Sequence, residues 1–214
     1  LMMALGIGLS VNNAHAVLEG LFTRDAEFVR TAKHGIIGRA ENRAMVETLD
    51  HLVGQVLRTL DELGLAQSTL VVFTSDNGGH PEYAANGPLR GSKWNLYEGG
   101  LRVPLLVKVP GVTRAGSRCD TPVISTDFFP TLLELTGADV AAGITAVDGR
   151  SLVPLLQGRK EWGRNALFWH YPHYGNQGGA PGAAIRRGDW KLIEWMEEGR
   201  SELFNLVADP GEQN

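Results

Sequence analysis

Three observations predict an α/β fold followed by a small antiparallel β unit. An apolar run, Leu70–Phe73, ends in Thr74-Ser75-Asp76-Asn77-Gly78-Gly79, so a buried strand hands its chain to a glycine-rich loop. The stretch before it carries apolar residues at three- and four-residue spacing, the period of a helix. From about residue 160 the texture changes to short alternating runs separated by turn signals, the pattern of a meander.

Taken in order, the helix begins near Asn42, and Met45, Val46, Leu49, Leu52, Val53, Val56, Leu57, Leu60 and Leu63 form its apolar stripe. Gly64 closes it, and the stripe is expected to pack on the sheet. His51 lies beside that stripe and reads as a structural or exposed histidine. The strand at Leu70–Phe73 follows, then the loop, then a second strand within Val103–Val109. Helix, strand, ligand loop and strand suit a doubly wound sheet. Ser125, Thr126 or Asp127 can cap a second helix that has Pro130 in its first turn, Leu132, Leu133 and Leu135 on its buried side, and Gly137 at its end. Residues 138–149 read as a polar connection and Ser151–Leu156 as a short helical piece. Strands are expected at Ala166–Tyr171, Ala183–Arg187 and Trp190–Trp195, with turns at Gly188-Asp189 and Glu198-Gly199. Residues 176–182 read as a candidate mobile loop.

The 214 residues, 43% hydrophobic and 21% charged, suffice for one medium domain or a domain with an appendage. A formal net charge of -4, with no basic stripe interleaved with aromatics, argues against a nucleic-acid partner. The single cysteine, Cys119, rules out an intramolecular disulfide. Leu1–Leu9 is apolar and Ala14-His15-Ala16 has the look of a signal-peptidase site, but no positive residues precede it. That run is too short for a bilayer span, which takes about 20 apolar residues.

In open α/β sheets ligands bind outside the carboxyl ends of the strands, where Asp76 and Asn77 stand. One charged and one neutral oxygen donor suit a hard divalent cation, calcium or magnesium, better than zinc. The same residues also make an ordinary turn. Arg90, Lys93 and Arg102 follow within a glycine-punctuated excursion, and a lysine there can neutralise an oxygen of a sulfate or phosphate group.

The string S-D-N-G-G, then G-P-L-R-G-S-K-W-N-L-Y-E-G-G-L-R-V-P, resembles the sulfatase family of type I sulfuric-ester hydrolases, within the alkaline-phosphatase-like superfamily. The resemblance continues through D-F-F-P-T-L-L-E-L-T-G, V-D-G-R-S-L-V-P-L-L-Q-G, I-R-R-G-D-W-K-L-I and E-L-F-N-L-V-A-D-P-G-E, and covers about residues 39 to 214. It implies a partial doubly wound alkaline-phosphatase-like sheet with helices, plus the small C-terminal antiparallel β subdomain, and it sets the 176–182 loop near the substrate entrance. It also implies that Asp76 and Asn77 match a pair of calcium ligands (magnesium possible), and that Lys93 matches a lysine that contacts the sulfate ester. His80, His170 and His173 are further candidates for lining the pocket, each with packing or surface exposure as the alternative. Residues 1–37 are similar instead to the C-terminal end of family 2 membrane glycosyltransferases, so the expected division is 1–37, 38–159 for the C-terminal part of the sulfatase α/β domain, and 160–214 for the antiparallel subdomain.

Family members use a formylglycine made from a cysteine or serine in C-x-P-x-R or a close variant. Cys119 is followed by Asp120-Thr121-Pro122-Val123, which is not that motif, and no serine of the chain has the context either. A first Asp-Asp metal pair is likewise not in these 214 residues. The expectation is therefore a sulfuric-ester hydrolase fragment with half of a calcium site. Its complete form would act on a sulfated sugar or other small sulfate ester in the periplasm or after export. The alternatives are an inactive remnant or fusion product, and a phosphoester or phosphonate hydrolase of the same superfamily.

Overall fold

In the computed structural model, residues 39–82, 84, 86–138, 146–160, 162–175 and 179–214 are described, with 39–45 as backbone alone. The segment compared with glycosyltransferases, the hydrophobic start, most of the 138–149 connection and residues 176–178 of the entrance loop lie outside them. Helix α1 (Arg39–Glu62) leads to strand β1 (Val71–Thr74). After the ligand loop come α2 (Glu98–Leu101), β2 (Leu105–Lys108), a 3-10 turn (Ser125–Asp127), α3 (Phe128–Thr136) and α4 (Val153–Leu156). The chain then forms β3 (Leu167–Tyr171), β4 (Gly182–Arg187), β5 (Trp190–Trp195) and β6 (Arg200–Asn205).

β1 and β2 are neighbours and run antiparallel, Val71 opposite Lys108 and Thr74 opposite Leu105. A parallel return needs a crossover of about a dozen residues or more, usually helical, and the only helix between the two strands among the described residues is the four-residue α2. The stripe of α1 is only partly covered among the described residues: Leu52 is buried, whereas Val46 and Leu63 are exposed. Gly64 ends the helix region at φ 67°, in the left-handed region that glycine enters without strain.

The four-stranded sheet is a plain meander, β3-β4-β5-β6, antiparallel throughout. Side chains alternate across it, as the two-residue period of a strand demands. On the inner face Trp169, Ala184, Ile193 and Glu202 form one row across the four strands, and Leu167, Arg186, Lys191 and Phe204 another. Ala184, Ile193, Trp195, Phe204 and Leu206 pack there on Leu96, with Tyr97 alongside. The antiparallel sheet thus rests on the chain that has just left the ligand loop. Its outer face carries an apolar row, Phe168, Ile185, Leu192 and Leu203, aligned by the strand register. Phe168, Leu192 and Leu203 are exposed.

A second core, Leu152, Leu155 and Trp162 with Val123, Phe128 and Leu156, holds α3 against α4. Asp127 makes no side-chain cap to α3. Its buried carboxylate instead accepts the amides of Ile124 and Arg150, each at 2.9 Å, and pairs with Arg164. The nearby Thr131 hydroxyl accepts the amide of Leu152 at 2.8 Å, so both side chains tie α3 to the segment before α4.

Candidate active site at the Asp76–Asn77 loop

The end of β1 turns on glycine. Gly78 donates its amide to the carbonyl of Gly100 at 2.8 Å, and a Cβ there would drive into the backbone of Gly99. Only a residue without a side chain lets the loop sit this close to α2. Gly79 accepts the amide of Lys93 at 3.0 Å, which stitches the lysine's turn to the same loop. Asn86 reinforces the arrangement: its Oδ1 accepts the Gly79 amide at 2.9 Å and its Nδ2 donates to Gly91 at 3.0 Å.

With the backbone so held, Asp76 is exposed and Asn77 half-buried. Both line an open cavity of about 820 Å³, together with Glu98, Arg102, Arg186 and Trp169. Among the described residues neither side chain has a hydrogen-bond or ion-pair partner. Two free oxygen donors on a rigid loop fit a hard divalent cation in kind. They do not fit it in number, since such ions take about six to eight oxygens. No group of three or more His, Cys, Asp or Glu able to hold a metal occurs among the described residues.

Lys93 stands in a strained turn, because the next residue, Trp94, has φ 72°. A bulky residue held there carries a cost of about 1–3 kcal/mol that the surroundings must offset. The Lys93 ammonium lies 5.2 Å from the Trp94 ring centroid, and His80 meets the same ring edge-on at 6.3 Å. Trp94 is also approached by the backbone at Gly175 and Gly179, where any Cβ would crowd it. His173 meets Tyr171 edge-on at 5.6 Å, and Tyr171 is itself close to Gly179. His80, Lys93 and Trp94 thus form one group, with His173 reached through Tyr171 and the glycine segment. His170 is exposed on β3, on the face opposite Trp169 and Tyr171. Cys119 is an exposed free thiol on the cavity wall.

Behind α2 lies a cluster that the sequence reading did not single out. Lys191 is 0% exposed, Glu212 0% and Glu98 3%. The Lys191 ammonium lies 3.0 Å from Glu98 Oε1 and 2.8 Å from Glu212 Oε1. The contact to Glu98 is a hydrogen bond; that to Glu212 Oε1 is an ionic contact, since no hydrogen bond reaches this oxygen. Glu212 Oε2 accepts the amide of Glu98 at 2.6 Å. Burial pushes the Glu212 carboxyl up from its ordinary range, against the pull of Lys191 and of the Glu98 amide. Glu98 Oε2 accepts no hydrogen bond and faces Arg186 at 3.8 Å and Arg102 at 3.9 Å. A signal for Lys191 was present in W-K-L-I-E-W. Strand alternation puts Lys191 on the face of Ile193 and Trp195, and a charge at a core position must have a buried partner.

Tyr97, one residue before α2, donates to Glu202 Oε2 at 2.8 Å, and Trp195 Nε1 donates to the same oxygen at 2.6 Å. The Arg90 guanidinium stacks 4.0 Å above the Tyr97 ring. Burial and the bond to Glu202 push the Tyr97 hydroxyl up to about 12.

An α/β scaffold with acidic and amide donors at a strand end, backed by an antiparallel sheet, is a fold of the alkaline-phosphatase-like class. The profile described as Sulfatase matches residues 38–138, and that described as N-sulphoglucosamine sulphohydrolase, C-terminal, matches residues 92–214. The chain belongs to the sulfatase family. A sulfatase of Formosa agariphila is 38% identical over 219 residues, covering 92% of this chain and 40% of its own length. Human steryl-sulfatase is 40% identical over 154 residues, 68% of this chain and 25% of the relative. The solved structure of a protein in complex with its substrate D-glucosamine-2-N,6-O-disulfate superposes with a TM-score of 0.68 at 29% identity, over 80% of this chain and 34% of that one. The chain thus spans less than half the length of these relatives. Both family profiles begin at residue 38 or later, but the Formosa match leaves out fewer residues than the first 37 and so runs into that segment. A glycosyltransferase origin for residues 1–37 finds no support.

Proposed function

We propose that this chain is the part of a sulfuric-ester hydrolase that contributes half of a divalent-cation site and one sulfate-contacting lysine. The observation that carries this reading is the pairing of two unpartnered oxygen donors, Asp76 and Asn77, with Lys93 on a turn bonded to the same loop. Asp76 and Asn77 would give two oxygens to calcium, with magnesium as the smaller candidate. The bound cation and a formylglycine, as the family uses them, would supply polarisation of the sulfate and the attacking oxygen. Lys93 would hold charge on the ester oxygens as the bond to sulfur breaks. His80 and His173 would border the alcohol from opposite ends of the Trp94 group, whereas His170 lies away from it.

A sulfated sugar is the substrate class we favour, because a structural neighbour is bound to a disulfated glucosamine. No helix among the described residues is long and apolar enough to cross a membrane, and we place the protein in the periplasm or outside the cell by the habit of its family. We also propose the division at residues 38–159 and 160–214, which sets the ligand loop and the meander in separate parts. The comparisons do not favour a remnant, a fusion product or a phosphonate hydrolase.

The chain itself is tested by titrating calcium while following its melting temperature. The wild type is expected to rise and Asp76→Ala to stay flat; equal responses would remove Asp76 from the site. In a protein that also carries the nucleophile motif and the Asp-Asp pair, Lys93→Ala is expected to lower kcat/KM for a sulfated monosaccharide by about 10²–10³. Unchanged sulfate release would dismiss the lysine's role.

A further inference from the structure

We infer that Lys191, held between Glu98 and Glu212, is a positioning residue that sets the Asp76–Asn77 loop through α2. This rests on the reading of Asp76 and Asn77 as cation donors. The mechanical part stands on geometry alone.

The chain of contacts is short. Lys191 projects from the inner face of β5 and grips the Glu98 carboxylate at 3.0 Å. Glu98 opens α2, and its own amide is held by Glu212 Oε2 at 2.6 Å. The next two residues, Gly99 and Gly100, are the surface on which the ligand loop lies. Gly100 accepts the Gly78 amide at 2.8 Å, and the Gly99 carbonyl sits where a Gly78 side chain would be. Gly99 in turn donates to Arg90 at 2.7 Å, so α2 cannot slide away from the excursion that carries Lys93. One residue before Gly78 is Asn77. Four segments distant in sequence therefore converge on α2, and among the described residues Lys191 is the ammonium buried there.

Two features mark the arrangement as more than filler. Glu212 occupies the left-handed region at φ 55°, unusual for a residue with a side chain. Its carbonyl is fixed there by the Arg90 guanidinium at 3.0 Å. The fold thus accepts strain to aim this carboxylate at Lys191 and at the Glu98 amide. The second feature is that ion pairs meet the cluster from several elements: Lys191 pairs with both carboxylates, and Glu98 Oε2, which accepts no hydrogen bond, faces the guanidiniums of Arg186 at 3.8 Å and Arg102 at 3.9 Å. Removing one partner of such a buried set is far more costly than replacing the whole set by apolar groups, so each member holds α2 to the others.

The test uses amide hydrogen exchange read by NMR on the full chain, with Glu98→Leu and Lys191→Met as variants. Glu98→Leu leaves Lys191 balanced by Glu212 and removes the lysine's direct grip on α2, while the backbone bond from residue 98 to Glu212 remains. Its Gly78 amide is expected to exchange about tenfold faster, while the β5 amides keep their wild-type rates. The calcium-induced rise in melting temperature should shrink in the same variant. Equal acceleration at Gly78 and in β5, or no acceleration at Gly78, overturns the inference, because a purely structural role loosens the whole fold or spares the loop. If Lys191→Met does not fold, Glu98→Leu decides alone. If Gly78 loosens while neither protein responds to calcium, the positioning stands and only the cation reading is lost.

Discussion

The Asp76–Asn77 loop and the Glu98–Lys191–Glu212 cluster both bear on one short helix, α2, and handle charge in opposite ways. In the loop a carboxylate is left in solvent reach with no partner among the described residues, beside a backbone tied at the Gly78 and Gly79 amides. In the cluster two carboxyl groups and an ammonium are removed from water and given one another. Taking charges out of water carries a penalty that only close, well-aligned partners recover. A carboxylate meant to meet a cation must avoid that recovery in advance, since an internal ammonium would compete with the ion. The difference separates chemistry from support: the donors are free, and the rigidity is supplied from behind.

The sharpest way to break this comparison is to remove the ammonium. Lys191→Met leaves two buried carboxylates without it, and urea unfolding should show a loss of about 3–5 kcal/mol; a loss below 1 kcal/mol would mean that water already reaches the cluster. Gly78→Ala comes next, because its Cβ meets backbone on both residues of the supporting turn. Forcing the loop off α2 is expected to lower stability by about 1–3 kcal/mol, seen in the same unfolding assay, and to abolish the calcium response.

A smaller effect concerns Tyr97, whose hydroxyl titrates at about 12 in the fold against an ordinary 10.0. Its folded value is the higher one, so the stability it contributes is complete below pH 10 and is lost as pH rises through about 12. Tyr97→Phe should therefore flatten the fall of the melting temperature over that window; identical slopes in the two proteins would show that the bond to Glu202 does not persist in solution. Smallest of all is Asp76→Ala, an exposed position with no internal partner. Its stability without calcium should stay within about 0.5 kcal/mol of wild type, and a larger drop would mean that Asp76 has a structural bond.

The fold class was legible because each half obeys a single period. The helical stripe, the apolar strand before Asp76 and the alternating runs after residue 160 all appear close to where they were expected. The strand Arg200–Asn205 had no boundary of its own in that reading, although the turn at Glu198-Gly199 announced it. Two things were hidden. The packing of α1 depends on what faces it, and the periodic stripe cannot say how much of it finds a partner. Asp127 looked like a helix cap because Asp commonly is one, whereas its partners Arg150 and Arg164 lie 23 and 37 residues away. For the site, Asp76, Asn77 and Lys93 could be picked out by residue type, and the structure brings Lys93 and His80 to the same aromatic ring. Trp94 and the Glu98 cluster escaped notice because their importance is relational: a left-handed turn in one case, and in the other three charges from three separate motifs.

That last relation limits how the gene can be recombined. Glu98 precedes the proposed boundary at residue 160, while Lys191 and Glu212 follow it. A chimera that joins the front of this protein to the rear of a relative inherits one third of an ionic lock from one parent and two thirds from the other. Such hybrids should be viable only when the three positions travel as a set. The two halves, though they read as separate modules, are therefore bound to diverge together.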